Sequence, residues 1–306
     1  MPEHRPAGDV GVLALVGPTG SGKSSVALEV AEALDAEIVA VDAFTVYRGM
    51  DIGTAKPPVK DRRRVRHHML DMLDPTEDCA VPWFQQAARA AIDGVVARGR
   101  RALLVGGSGL YFRAVVDPLA FPPTDAAVRA AIEAEYADDP AAAHAALAEV
   151  DPAAADRVAP GNLRRAVRAL EVVALTGRPF SDWQRTWDAY EPVYAGIRVA
   201  GLDIPRADLV TRLDRRVDAM LTAGLLEECR RLARLPLSAT ARQAIGYAEL
   251  FEHLAGGATL ADAAERAKIR TRRYASRQAR WFAADPRVRW VRPPIAASRI
   301  LEVLAD

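Results

Sequence analysis

Apolar and polar positions divide the chain into short strands and longer helices. Val12 to Val16 is apolar at every position. Glu37 to Val41 and Arg101 to Val105 each place an apolar run behind one charged residue. Runs without alternation predict strands buried on both faces, the pattern of a parallel sheet covered by helices. Val10 opens the first of them. Between the runs, apolar positions at helical spacing predict helices from Ser25 to Leu34 and from Val81 to Arg98. Three prolines between Asp117 and Pro123 break this order. From Thr124 to Gly177 the chain is alanine-rich and helical in character, with helix starts at Thr124-Asp125 and Asp151-Pro152. Ile197 to Leu202 reads as a returning strand. Helices follow over Ala207 to Ala223, from Leu225, and over Ala261 to Ala283. Val288 to Val291 is a last strand and Ala296 to Leu304 a closing helix.

The turn after the first strand changes the picture most. Gly17-Pro18-Thr19-Gly20-Ser21-Gly22-Lys23-Ser24 matches G-x-x-x-x-G-K-[ST] between a strand and a helix. Backbone N–H groups of such a turn point at a phosphate, Lys23 adds a mobile positive charge, and Ser24 offers a hydroxyl to Mg²⁺. The predicted fold is therefore α/β, a P-loop NTPase-like parallel sheet covered by helices, with an α-helical insertion. The divisions are 1–116 for the first part of the core, 117–196 for the insertion and 197–306 for the return. Ligands of such sheets lie beyond the carboxyl ends of the strands. Two more motifs fall there. Asp42 ends the second strand, where it either accepts a proton or binds Mg²⁺ through water, or else caps the next helix. Gly106-Gly107-Ser108-Gly109 ends the third, with Ser108 placed to donate to a phosphoryl oxygen or simply closing a tight turn. The loop after Asp42 is rich in turn formers and suited to wrapping a substrate, with Arg48 and Lys56 either substrate ligands or, the commoner case, solvated surface charges. A Walker B run ending in adjacent acids is absent, which argues against a motor ATPase or GTPase and for a small transferase holding a nucleotide such as ATP or another diphosphate.

The 306 residues carry a formal net charge of +1, so any nucleic-acid surface is a local patch. Asp262 to Arg292 holds ten Arg or Lys against three acids. Arg266, Arg270, Arg273 and Arg277 recur at helical spacing, Arg272 and Arg280 broaden the stripe, and Tyr274, Trp281 and Phe282 are interleaved. Two readings stand: a phosphate-backbone footprint with stacking neighbours, or a solvated helix face. Arg164, Arg165 and Arg168 form a second group, and Asp61 to His68 a third, in which adjacent His67 and His68 suit a solvated loop better than one metal site. Arg212 and Arg216, one helical turn apart, suit a bidentate clamp on a diphosphate. Cys79 and Cys229 are the two cysteines, giving no zinc spacing and no disulfide framework. The N-terminus, Met1 to Asp9, lacks an apolar signal core, and no run approaches the ~20 apolar residues of a membrane helix. The expectation is a soluble cytoplasmic protein.

Together these residues resemble the bacterial tRNA dimethylallyltransferases, also called tRNA isopentenyl transferases. The likeness rests on GPTGSGKS at Gly17 to Ser24, DAFTVYRGMDIGTAKP at Asp42 to Pro57, GGSGLY at Gly106 to Tyr111, RALEV at Arg168 to Val172 and YASRQARWF at Tyr274 to Phe282. The order and spacing span nearly the whole chain. The resemblance implies transfer of a dimethylallyl group from dimethylallyl diphosphate, with Mg²⁺, to the exocyclic amine of the adenosine 3′-adjacent to the anticodon. The partners it implies are the tRNA anticodon stem-loop and the donor, with no membrane and no obligate protein partner, so a monomer.

Carried over by position, the resemblance implies that Asp42 orients the adenine amine and takes its proton. Ser108, where Thr is usual, stabilises the leaving diphosphate. Thr19, Gly20, Ser21, Gly22, Lys23 and Ser24 cradle the donor, Ser24 being the metal ligand, and Arg212 and Arg216 add contacts. Asp42, Ala43, Phe44, Thr45, Arg165, Arg277 and Gln278 face tRNA. The chain departs from the family's D-S-x-Q at Asp42 to Thr45, which leaves Thr45 one hydrogen bond to offer and no bidentate pair for a base. It departs again where Y-A-K-R-Q-x-T-W-F-R becomes Tyr274 to Ala283, and where Asn162 replaces a common Asp. Three other readings remain open: prenylation of free adenine nucleotides, an ATP-dependent kinase, and a non-enzymatic RNA-binding module.

Overall fold

The computed structural model describes residues 11–184, 187 and 189–305. Met1 to Asp9 and Val10 lie outside the described residues. Two compact units emerge, one formed up to Asp117 and again from Pro192, the other Pro118–Glu191.

The first unit is built on six parallel strands. In chain order they are β1 (Val12–Val16), β2 (Ala36–Val41), β3 (His67–His68), β4 (Arg101–Gly106), β5 (Arg198–Leu202) and β6 (Val288–Val291), arranged β3-β2-β4-β1-β5-β6. Five match runs expected from sequence. The sixth, β3, corrects the loop expected at the two histidines: His67 and His68 pair with Ile38 and Val39, and His68 Nε2 hydrogen-bonds Glu37 at 2.6 Å. Two polar residues on a sheet edge carry no apolar run, so periodicity passes over them.

Successive strand residues alternate between two apolar layers. Val12, Ala14 and Val16 face one layer and Leu13 and Leu15 the other. The first layer takes α3 (Val81–Ala97) and α4 (Gly109–Val116), with Phe84, Ile92 and Phe112 wholly or almost wholly buried. The second takes α1 (Lys23–Ala33) and α15 (Ala297–Ala305). Each fully buried Leu or Phe contributes roughly 1.5–3 kcal/mol. This two-sided burial explains why the strands read as unbroken apolar runs. β1 lies between β4, which closes the first chain segment, and β5, which opens the last, so the loops after β1, β2 and β4 gather beside a topological switch point.

Around the sheet run α2 (Val59–Arg64), α10 (Arg206–Thr222), α11 (Leu225–Leu232), α12 (Ala239–Arg242), α13 (Tyr247–Leu254) and the long α14 (Leu260–Ala283). Lys268 pairs with Asp218 at 2.7 Å and Arg272 with Asp214 at 2.9 Å, tying α14 to α10.

The second unit is helical: α5 (Ala126–Glu135), α6 (Pro140–Val150), α7 (Pro152–Ala155), α8 (Leu163–Thr176) and α9 (Phe180–Trp183). Asp125, Asp139, Asp151 and Asn162 cap its helices through side-chain acceptors. Asn162 thus performs as well as the Asp it replaces. Glu171 is wholly buried and accepts from Thr124, the Asp125 N–H, Arg129 and Arg168. Although burial raises its pKa, these donors outweigh it and hold the carboxyl at about 2. Both ends of this insertion leave the sheet unit together, since the Val193 N–H donates to the Val116 carbonyl at 2.7 Å.

Candidate active site

The site begins with the turn between β1 and α1. Gly22 sits at φ +91°, a left-handed conformation that L side chains rarely adopt, and caps α1. Lys23 opens the helix and curls back over the turn. Its Nζ donates to the Gly17 carbonyl at 2.8 Å, to the Pro18 carbonyl at 2.7 Å and toward Ser21 Oγ at 3.4 Å. No carboxylate lies within ion-pair distance of this ammonium among the described residues. Burial, reinforced by the Arg216 charge and opposed by Asp42, pulls its pKa down to about 7. Ser24 is exposed on the first turn of α1.

Asp42 follows β2. Its Oδ1 accepts the Phe44 N–H at 2.8 Å, and burial raises its pKa despite that bond and the nearby charges of Lys23 and Arg216. Arg216, on α10, is part-buried with its pKa lowered by burial, and it feels the same carboxylate. Two desolvated cations therefore share one carboxylate, a field that asks for an anion. Arg212 is exposed on the same helix. Of the two arginines, the structure brings Arg216 to Lys23 and Asp42.

Thr19, Asp42, Phe44, Arg216 and Tyr274 line one cavity of about 110 Å³ whose inner wall is apolar, made by Val217, Met220, Leu221, Leu225 and Leu250. An engineered apolar cavity of roughly 150 Å³ accepts benzene, so this space suits a small hydrocarbon group. No single run in the sequence marks this wall; Val217, Met220 and Leu221 stand at helical spacing beside Arg216, but α10, α11, α13 and α14 meet only in the fold.

The loop after Asp42 is rigidly anchored. Glu228, 1 % exposed, accepts the N–H groups of Asp51, Ile52 and Gly53 at 3.1 to 3.3 Å and the Tyr247 hydroxyl. Lys56 is buried and bonds Asp51 at 2.8 Å, Asp71 at 2.6 Å and the Tyr47 carbonyl. It is neither a substrate ligand nor a solvated charge, because a buried ammonium needs this compensation. Arg48 caps the carbonyls of Asp71 and Met72 at 3.0 and 3.1 Å, and so holds the loop rather than a ligand. Ala43 and Thr45 are each 8 % exposed, and Thr45 Oγ1 turns to the Asp42 carbonyl at 3.5 Å. Their side chains do not join the cavity lining, whereas Phe44 does.

Ser108 caps the start of α4 after β4. On α14, burial pushes the Tyr274 phenol up, the Asp42 charge adding to the rise and Ser108 and Gln278 opposing it. Gln278, expected to face tRNA, is instead 4 % exposed, and its Oε1 accepts the Thr19 N–H at 2.8 Å. It braces the phosphate loop from within.

The basic stripe is likewise partly consumed by the fold. Arg266 pairs with Glu252 at 2.9 Å, Arg270 with Glu249, and Arg272 with Asp214 and Glu265. Arg273, Arg277 and Arg280 are exposed and have no carboxylate partner among the described residues, Arg277 lying 5.7 Å above the Tyr274 ring. In the helical unit, Arg168 is structural, bonded to Glu171 and to the carbonyls of Pro122 and Pro123, while Arg164 and Arg165 are exposed. In the third group, Arg62 pairs with Asp71 and Arg64 with Glu32.

A magnesium ion fits the phosphate loop's open side. Ser24 offers an exposed hydroxyl there, and no group of three or more His, Cys, Asp or Glu able to cage a metal occurs among the described residues. Mg²⁺ typically takes few protein ligands and fills its shell with phosphate oxygens and water.

The sequence matches the family model for IPP transferase over residues 45–285 and that for isopentenyl transferase over residues 10–78. It is 48 % identical over 299 residues to a tRNA dimethylallyltransferase of Nocardioides sp., covering 96 % of each chain. It is 47 % identical over 283 residues to one of Pseudarthrobacter chlorophenolicus, covering 92 % of this chain and 93 % of that one. The structure resembles a tRNA isopentenylpyrophosphate transferase of Bacillus halodurans, with a TM-score of 0.69, 36 % identity and coverage of 97 % and 95 %. It also resembles a eukaryotic dimethylallyltransferase acting on tRNA, with a TM-score of 0.75, 27 % identity and coverage of 92 % and 73 %.

Proposed function

The chain belongs to the IPP transferase family, and from that premise we propose that it transfers a dimethylallyl group from dimethylallyl diphosphate to the exocyclic amine of the adenosine 3′-adjacent to the anticodon in tRNA. The observation that carries this reading is a single one: Asp42 and Arg216 line a cavity with an apolar wall, and the buried Lys23 ammonium lies in the field of both. The hydrocarbon tail occupies the wall of Val217, Met220 and Leu221. The diphosphate rests on the N–H groups of Gly20, Gly22, Lys23 and Ser24, those of Thr19 and Ser21 being taken by Gln278 and Pro18, and lies between Lys23 and Arg216, so the phosphate loop holds a prenyl diphosphate rather than ATP.

In the reaction, the bond between the allylic carbon and the diphosphate oxygen breaks with its electron pair going to oxygen. A bond from the adenine amine nitrogen to that carbon forms, and the amine proton passes to Asp42. Lys23, Arg216 and the Ser108 hydroxyl offset charge on the departing diphosphate. Burial raises the pKa of Asp42 and makes it a better proton acceptor than an ordinary carboxylate. Mg²⁺, held through Ser24, neutralises part of the diphosphate charge when bound. Phe44 lines the cavity and offers a ring on which an extruded base can stack, and extrusion from a loop costs less than from a duplex. Arg165, Arg273, Arg277 and Arg280 supply exposed charge for tRNA phosphates. No helix among the described residues is long and apolar enough to cross a membrane.

The test offers labelled dimethylallyl diphosphate to the purified protein with an anticodon stem-loop or with AMP. Label is expected in the RNA; label in AMP alone would overturn the choice of acceptor. Asp42→Asn is expected to lower turnover by about 10³-fold while leaving RNA affinity within about twofold. A matching loss of RNA affinity would make Asp42 a recognition or folding residue instead.

A further inference from the structure

Most of the cavity wall is helical, but Gly53 and Thr54 of the loop after Asp42 also line it. A loop serves as a wall only when something fixes it. Here the fixing group is a buried carboxylate. Glu228 Oε2 accepts the Asp51 N–H at 3.1 Å, and Oε1 accepts those of Ile52 at 3.1 Å and Gly53 at 3.3 Å. Three successive N–H groups thus converge on one anion, a concave arrangement by which backbone holds charge. The Tyr247 hydroxyl completes the set: it donates to Oε1 and accepts the Gly53 N–H at 3.1 Å. Tyr247 is wholly buried and itself lines the cavity. Its ring lies so close to Gly53 that a Cβ added there would stand 2.4 Å from Cε2. Leu225, one helical turn before Glu228 on α11, and Leu250, one turn after Tyr247 on α13, line the same cavity. The carboxylate therefore ties the loop, α11 and α13 into one wall.

We propose that Glu228 is a positioning residue that, through Tyr247 and the Asp51–Gly53 backbone, sets the length of prenyl tail the cavity accepts. This assignment rests on the donor reading given above and deepens it. A space of about 110 Å³ suits a dimethylallyl group. A geranyl group is one isoprene unit longer and enters only if a wall yields. A wall held by a desolvated anion resists yielding, because each donor that moves away leaves the carboxylate unsatisfied. Glu228 touches neither the breaking bond nor the diphosphate. It acts by holding the Tyr247 ring and Gly53 in place against the tail.

The experiment compares dimethylallyl and geranyl diphosphate as donors to an anticodon stem-loop, with the thermal midpoint of each protein. The parent is expected to favour dimethylallyl diphosphate by about 10²-fold in kcat/KM. Tyr247→Phe keeps the ring but frees it from the carboxylate, and is expected to cut that ratio about fivefold. Glu228→Gln keeps one acceptor oxygen but gains a nitrogen that cannot accept, and is expected to cut it about tenfold. Ile300→Ala is the control for general loosening. Ile300 is buried in the apolar layer of Leu13 and Leu15, apart from the cavity, so its loss is expected to lower the midpoint while the ratio stays within about twofold. A ratio unchanged in either clamp variant, or lowered as much by Ile300→Ala, overturns the assignment, while dimethylallyl transfer by the parent upholds the donor reading. Should Glu228→Gln not fold, Tyr247→Phe decides alone. A parent that uses both donors equally also overturns the assignment. A parent that transfers neither removes the donor reading and the assignment with it.

Discussion

Two lysines follow the carboxyl ends of β1 and β2, Lys23 opening α1 and Lys56 in a loop, and their surroundings are opposite. Lys56, after β2, is matched by Asp51, Asp71 and the Tyr47 carbonyl. Lys23, after β1, has carbonyls and a hydroxyl but no carboxylate in pairing range among the described residues, and shares its field with a second cation, Arg216. A compensated charge stabilises the fold, while an uncompensated one is kept at a cost to it. Lys56 therefore reads as architecture and Lys23 as a group waiting for an anion. Both lie in family-like motifs, so the motif alone does not separate the roles; the partners do.

The strongest way to break this contrast is Lys23→Met. It is expected to lower kcat/KM for the donor on the order of 10³-fold, measured by initial rates, with a thermal midpoint equal to or above that of the parent. A lower midpoint would make Lys23 a structural group like Lys56. The mirror experiment, Lys56→Met, is expected to destabilise the fold by about 1–3 kcal/mol in denaturant melts, less than a fully buried pair because Asp51 and Asp71 are partly exposed. Unchanged stability would remove the contrast from the other side.

Proton linkage sharpens the comparison further. Without ligand Lys23 titrates near 7, and a bound diphosphate raises that value, so donor binding takes up a proton in the window above pH 7. Donor affinity is then expected to fall as pH rises from about 7, by at most tenfold per unit, and titration calorimetry in buffers of different ionisation enthalpy at pH 8 is expected to show the uptake. Binding without uptake would mean that Lys23 is already charged. The smallest expected effect is at the periphery. Arg277→Ala is expected to reduce the salt slope of RNA binding by about one with little change in donor affinity, and an unchanged slope would deny it a phosphate contact.

Much of this fold is legible in the sequence because its strands are buried on two faces and advertise themselves as unbroken apolar runs. β3 is not, since His67 and His68 hold their place by edge pairing and by Glu37 rather than by apolar burial. Within the candidate site, the phosphate loop, Asp42 and Ser108 stand at strand ends where local pattern places them. The cavity wall is invisible to local pattern because four helices widely separated along the chain build it. Charge on α14 misleads for a related reason. A helical wheel shows that Arg266 and Arg270 share a face with Arg277, but not that Glu252 and Glu249 arrive from elsewhere to engage the first two. Gln278 sits among those arginines in sequence and points the other way, into the loop it supports.

The hydrogen bond between Val193 and Val116 has a consequence for ancestry and engineering. Because departure and re-entry abut, the seventy-odd residues between them form a cartridge spliced into the chain at one point. Closing so short a gap asks almost nothing of the sheet unit, so lineages are free to lengthen, trim or exchange that cartridge without redrawing the sheet.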